Sequence, residues 1–147
     1  MLLMIMFAAI GGFLFGYDTS VIAGANLYID NDFPGVTNFQ KELIVSMTTL
    51  GAGFGSLSGG SIADRFGRKP TIIIADFLFT IGCVVMAFTP SIAILIIGRF
   101  IVGLGVGVAA MVVPVYLAEI SPKKYRGVIV NSNVVFIALG QFIALAV

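Results

Sequence analysis

Charge is what this chain has least of. Of its 147 residues, 8 are Lys or Arg and 7 are Asp or Glu, so 10% are charged, against about 25% in an ordinary soluble domain. The net charge of +1 leaves no basic footprint, and nucleic acid is not an expected partner. Cysteine is nearly absent too. Cys83 is the only one and stands in an apolar stretch, so a disulfide within the chain is excluded. The N-terminus has no basic residues ahead of its apolar run, and that run exceeds the 7 to 15 residues of a secretory signal core, so it reads as a first membrane helix.

What is abundant is hydrocarbon. Hydrophobic residues make up 59% of the chain and the mean hydropathy is +1.12, the composition of an integral, multi-pass membrane protein whose partner is the lipid bilayer. Residues 1–29, 43–63, 70–98, 100–118 and 127–147 carry almost no charge, and each is long enough for a core that takes roughly 20 helical residues to cross. Thr89-Pro90-Ser91 is a better turn than the lone Arg99, because Pro and small polar residues punctuate helices. The expected helices are therefore about 1–29, 43–63, 70–89, 92–120 and 127–147, with Arg99 inside the fourth.

Two short loops, 64–69 and 121–126, hold six of the eight basic residues, which assigns them to the cytoplasm and the N-terminus with them. The segment from Asp30 to Glu42 carries mostly acids and is expected on the opposite side. Glycines stand four apart at Gly12 and Gly16, at Gly51, Gly55 and Gly59, and at Gly103 and Gly107, a spacing that lets membrane helices approach closely. GLGVG at 103–107 fails the spacing of a dinucleotide loop, and no strand is expected before it.

GGSIADRFGRKP at 59–70 resembles the loop signature of the major facilitator superfamily, carried here by Gly60, Asp64, Arg65, Gly67, Arg68 and Lys69. FGYD at 15–18, GRFIVGLGVG at 98–107, PVYLAEISPKKYRG at 114–127 and Gly140-Gln141 resemble the sugar porters in order and spacing. YIDNDF, IVSM and ADFLF, at 28–33, 44–47 and 75–79, are most similar to the inositol transporters, with hexose porters as the competing subfamily. The resemblance implies an all-α fold of twelve helices in two halves, with substrate bound near the midplane between them. The chain corresponds to the N-terminal part of the first half, about five helices, and is expected to be a fragment.

The implied function is alternating-access, proton-coupled transport of a polyol or monosaccharide. The alternatives are a facilitative uniporter and, from another class, a truncated membrane interaction protein that transports nothing. No enzymatic activity, cofactor or metal is expected, and the membrane is the plasma or vacuolar one. The resemblance implies a conformational charge network of Asp64, Arg65 and Arg68 with Glu119 and Arg126 at the inner ends of the helices. Asp76, about two turns into the third helix, is expected to make a structural polar contact near the inner surface, since an isolated carboxylate there is costly.

Gln141 is the substrate candidate, because an amide both donates to and accepts from hydroxyls. In many sugar porters a second Gln follows the Asn of the fifth helix, but here Val134 follows Asn133, which weakens a glucose assignment. Asp18 is the only charged residue among the first 29. It lies about 24 Å up helix 1, and Arg99 about 13 Å below Pro90, both in the outer half of the core. Charges in a span commonly pair and mark ion pathways. The resemblance implies that Asp18 and Arg99 are the proton-coupling pair, loosened when Asp18 is protonated.

Overall fold

The structure is a computed structural model that describes residues 2–32 and 35–146, with side chains at 6, 10–22, 24–25 and 35–146. It is all-α, with α1 Leu2–Asp32, α2 Asn38–Phe66, α3 Arg68–Ala87, α4 Ile92–Ile120 and α5 Arg126–Ala146. Two compact units emerge, Phe33–Val113 in one and Met1–Asp32 with Pro114–Val147 in the other. Their sequence boundary falls at Pro114, inside α4, where the missing N–H deletes one helical hydrogen bond.

The ends of the helices differ from the sequence expectation in a consistent way. α2 begins at Asn38 instead of about residue 43, since the Gln40 Oε1 accepts the Thr37 N–H at 3.1 Å and caps a polar first turn that hydropathy does not register. α1 likewise runs to Asp32, three residues past its apolar stretch, although the side chains of residues 30–32 lie outside the described residues. α3 starts at Arg68, with Pro70 in the first turn, where its missing N–H has no helical partner to lose.

In the unit of α2, α3 and the first part of α4, backbones touch through glycine. A methyl group added at Gly51 or Gly55 would meet the carbonyl oxygen of Phe100 or Leu104, and one at Gly103 or Gly107 that of Thr48 or Ala52. The contacts advance together along both helices, so α2 and α4 run parallel. On its other side α4 packs against α3 in the opposite direction, through Gly82 on Val102, Gly98 on Met86 and Gly105 on Ala75. Ala63, Ala75, Val108 and Val112 close the space among the three helices, with Ile72 and Ala109 against them. Small and β-branched side chains suit this site because they let helices approach where lipid supplies no hydrophobic force between them.

In the other unit α1 and α5 also run parallel. Methyl groups at Gly12, Gly16 and Gly140 would meet Asn133, Ile137 and Phe13 respectively. Large apolar side chains face outward from both units, among them Leu57, 79% exposed, and Phe142, 71% exposed. Hydrocarbon is the surrounding that makes such surfaces favourable.

Among the described residues, α3, α4 and α5 are each long and apolar enough to cross a membrane. α2, expected as a span, falls short by composition because of its glycines, serines and threonines. Several of its hydroxyls are satisfied within the helix: Ser56 donates to the Gly53 carbonyl and Ser58 to that of Phe54, both at 2.9 Å. Such back-bonding lowers the cost of polar side chains in hydrocarbon.

Candidate functional site

The α1/α5 crossing brings two of the sequence candidates to one level. Gly16 and Gly140 let the backbones meet there. A methyl at Gly16 would lie 3.1 Å from the Gln141 nitrogen, and one at Gly140 2.9 Å from the Tyr17 nitrogen. Asp18 is two residues beyond Gly16 and Gln141 one beyond Gly140, so each lies within about 3 Å of helical rise of the crossing. Both are half-buried. Replacing either glycine by a larger residue would separate the helix that carries the carboxylate from the helix that carries the amide.

Arg99 belongs to the other unit and is 5% exposed. It follows Gly98, which packs on α3, and precedes by one turn Gly103, which packs on α2. The two glycine contacts hold the arginine between neighbouring helices and away from lipid, the setting an ionised side chain in a span requires.

The 64–69 loop is built around Gly67. Its φ of 91° and ψ of 165° form a backbone shape that side chains rarely adopt, and it lets α2 end at Phe66 and α3 start at Arg68, one residue apart. The Gly67 N–H donates to the Ala63 carbonyl at 3.0 Å, while the Gly67 carbonyl accepts the buried Thr71 hydroxyl at 2.7 Å. Arg68 Nη1 meets Asp64 Oδ1 at 2.8 Å across this turn. With Asp64 73% exposed, the pair is worth about 0–1 kcal/mol, so it organises the loop more than it stabilises the fold. Arg65 and Lys69 are exposed. Gly60 faces the flexible end of Met111, at 2.9 Å from an added methyl.

Glu119 and Arg126 are both exposed, at the C-terminal end of α4 and the first residue of α5. Between them, the Ser121 hydroxyl bonds the Leu117 carbonyl, and the Arg126 N–H donates to the Pro122 carbonyl at 3.1 Å. Asp76 is exposed on α3 beside the exposed Phe77. Among the described residues no base pairs with its carboxylate. Its backbone carbonyl accepts the Thr80 hydroxyl at 2.8 Å.

Sequence spacing missed several of the glycine contacts. Gly82, Gly98, Gly105 and Gly140 have no glycine four residues away along their helices, yet each meets a neighbouring helix. The signal for them was cost: a glycine inside a helix loses about 1 kcal/mol relative to alanine. Asn133 was missed too. It is buried, and its Oδ1 lies 2.6 Å from where a Gly12 methyl would stand.

A family profile described as "Sugar (and other) transporter" matches residues 4–147. Inositol transporter 4 of Arabidopsis thaliana is 50% identical over 137 residues, 92% of this chain and 24% of that protein. The human proton myo-inositol cotransporter is 45% identical over 139 residues, 95% of this chain and 21% of that protein. The chain thus spans about a quarter of the length of these curated relatives. Among solved structures, the inward-open xylose transporter XylE of E. coli is similar with a TM-score of 0.84 and 32% identity, over 95% of this chain and 37% of that one.

Proposed function

The chain belongs to the sugar (and other) transporter family, and from that membership we propose that it forms part of a proton-coupled secondary transporter for a cyclic polyol of the inositol type. The observation that carries the substrate class is the 50% and 45% identity to inositol transporters from a plant and from humans. The same relatives support proton coupling, since the human one is a proton cotransporter by name. No chemistry is performed on the substrate. The work is done by two conformations whose affinities for proton and polyol differ.

In this reading Asp18 takes up the proton, and Arg99, a permanent cation, is the counter-charge of its ionised form. Gln141 exchanges hydrogen bonds with polyol hydroxyls, which the amide can serve as donor and acceptor alike. The glycine crossing of α1 on α5 supports a link between these tasks, because proton site and substrate amide ride on helices joined backbone to backbone. Asp64, Arg65, Gly67, Arg68, Lys69, Glu119 and Arg126, with Gly60, form the inner charge network that stabilises one conformation over the other.

The test is uptake by a chimera in which this chain replaces the matching segment of Arabidopsis inositol transporter 4. Labelled myo-inositol should accumulate at acidic external pH. Gln141→Ala should raise KM about tenfold, the loss of one good hydrogen bond, with little change in protein level. Uptake of hexose but not inositol would overturn the substrate class.

The basic loops 64–69 and 121–126 are proposed to be cytoplasmic, as is the N-terminus, in the plasma or vacuolar membrane. A single cysteine at Asn38 should react with an impermeant maleimide from the external or lumenal side. Reaction from the cytoplasmic side alone would reverse the topology.

A further inference from the structure

Ile73, Phe77 and Val84 are exposed along α3, and Phe88 is exposed at its C-cap. With the exposed Thr80 between them, they recur at the three- and four-residue steps by which one helix face packs on another. Asp76 stands at the edge of this seam and is exposed too. The apolar members suit hydrocarbon, but a carboxylate in a span is costly unless something answers it.

Nothing among the described residues does. The Thr80 hydroxyl is spent on the Asp76 backbone carbonyl at 2.8 Å. Lys69, seven residues earlier on the same face, begins about 10 Å away along the axis, and helical side chains lean toward the N-terminus, which carries its ammonium further off. Arg99 follows the contact of Gly98 with Met86, whereas Asp76 follows that of Ala75 with Gly105. The two levels are about 9 Å apart along the helices.

The surroundings that could supply a cation differ in where they can put it. Asp76 is eight residues beyond Arg68, about 12 Å along α3, and a lipid carries its ammonium outside its own phosphate, so no headgroup reaches a carboxylate lying that far inside. A second copy fares no better. Inserted the same way about a twofold axis normal to the membrane, it would set Asp76 against Asp76 and Lys69 against Lys69, and like charges facing each other oppose association. A helix of another protein meets neither obstacle. Because the rest of the seam is apolar enough to face lipid unaided, the face asks its partner for one cation and not for general cover.

We infer that this face of α3 is a docking surface for the membrane-spanning helix of a separate protein, one that presents a Lys or Arg about 12 Å in from the end level with the 64–69 loop. Ile73, Phe77 and Thr80 pack against its apolar residues. Asp76 takes the base and so fixes the depth and rotation of the visiting helix.

The probe is a single-span polyleucine helix, co-expressed with the chimera described above, bearing one Lys eight residues from a lysine-rich flank that holds its inner end in the cytoplasm. Energy transfer between fluorescent proteins fused to helix and chimera measures association. Half-maximal transfer should need about tenfold less of the Lys-bearing helix than of an all-leucine one. Asp76→Leu should abolish the difference, and Asp76→Lys should shift the preference to a helix with Glu at the same place. Elution of both variants as the unaltered chimera on size exclusion would show that the fold is kept, as the exposure of the site predicts. Equal association of the Lys-bearing and all-leucine helices would overturn the inference, whether because other helices of the transporter cover α3 or because lipid tolerates Asp76. A preference that survives Asp76→Leu would do the same. So would transfer between two labelled chimeras that Asp76→Leu removes, since a second copy would then be the occupant.

Discussion

Asp18→Asn is expected to abolish pH-driven accumulation of substrate in a complete transporter containing this segment, while binding and exchange remain measurable. Asparagine has nearly the shape of aspartic acid but cannot release or bind the proton, so the variant is fixed close to the neutral state. A carrier that moves one proton per substrate can draw on about tenfold concentration per pH unit, because each unit is worth 1.36 kcal/mol. The variant should lose that whole factor and bring substrate only to equal concentration on both sides.

Exchange of labelled for unlabelled substrate needs only reorientation of the loaded carrier. It should continue, and its rate should cease to vary with pH over the range where the unaltered protein responds. Counterflow and net uptake in proteoliposomes with an imposed pH difference measure both. If the Asn variant still concentrated substrate against its gradient, Asp18 would not carry the proton.

The second large effect is expected where backbones touch. At Gly107 even a single added methyl falls on the Ala52 carbonyl oxygen. The obstacle is main chain on both sides, so neither partner can swing away by changing a rotamer, and Gly107→Ala should cost about 1–3 kcal/mol, the usual range for overpacking. Gly107→Leu should push α4 off α2 and eliminate the folded protein from detergent extracts. Gly53 on α2 is a matched control, since nothing lies within 4 Å of an added methyl there. Gly53→Leu should melt no lower than the unaltered protein, because leucine is favoured over glycine inside a helix by up to about 1 kcal/mol. Thermal unfolding followed by size-exclusion chromatography would compare the three. Equal melting of Gly107→Leu and Gly53→Leu would remove the close approach of α2 and α4.

The five helices were legible because hydrocarbon thickness fixes the length of an apolar run, and the turn between α3 and α4 because Pro90 punctuates it. Helix ends were less so. The first turn of α2 is built from Asn38, Phe39, Gln40 and Lys41, and a cap at Thr37 leaves no mark on hydropathy. Glycines four apart announced the α2/α4 and α1/α5 contacts. The antiparallel α3/α4 contact uses Gly82, Gly98 and Gly105, which satisfy no single four-residue rule. The better turn at Thr89-Pro90-Ser91 put Arg99 inside a span, but its burial and the contact of Arg68 with Asp64 depend on side-chain placement that the sequence does not carry. Asn133 was not legible, because no sequence pattern says which amide faces a notch in another helix.

The glycine contacts share one further property. Gly16, Gly51, Gly55, Gly103, Gly107 and Gly140 each direct the missing side chain at a carbonyl oxygen of the opposing helix. What stands there instead is a Cα hydrogen, and a carbonyl already engaged in its own helix keeps a second lone pair to receive it. Such Cα–H···O contacts recur at helix interfaces and contribute about 0.5–1 kcal/mol each. They depend on main-chain atoms alone, so the attraction would survive any exchange of the lipid-facing side chains. It would be lost at each of these glycines where that hydrogen is replaced by carbon.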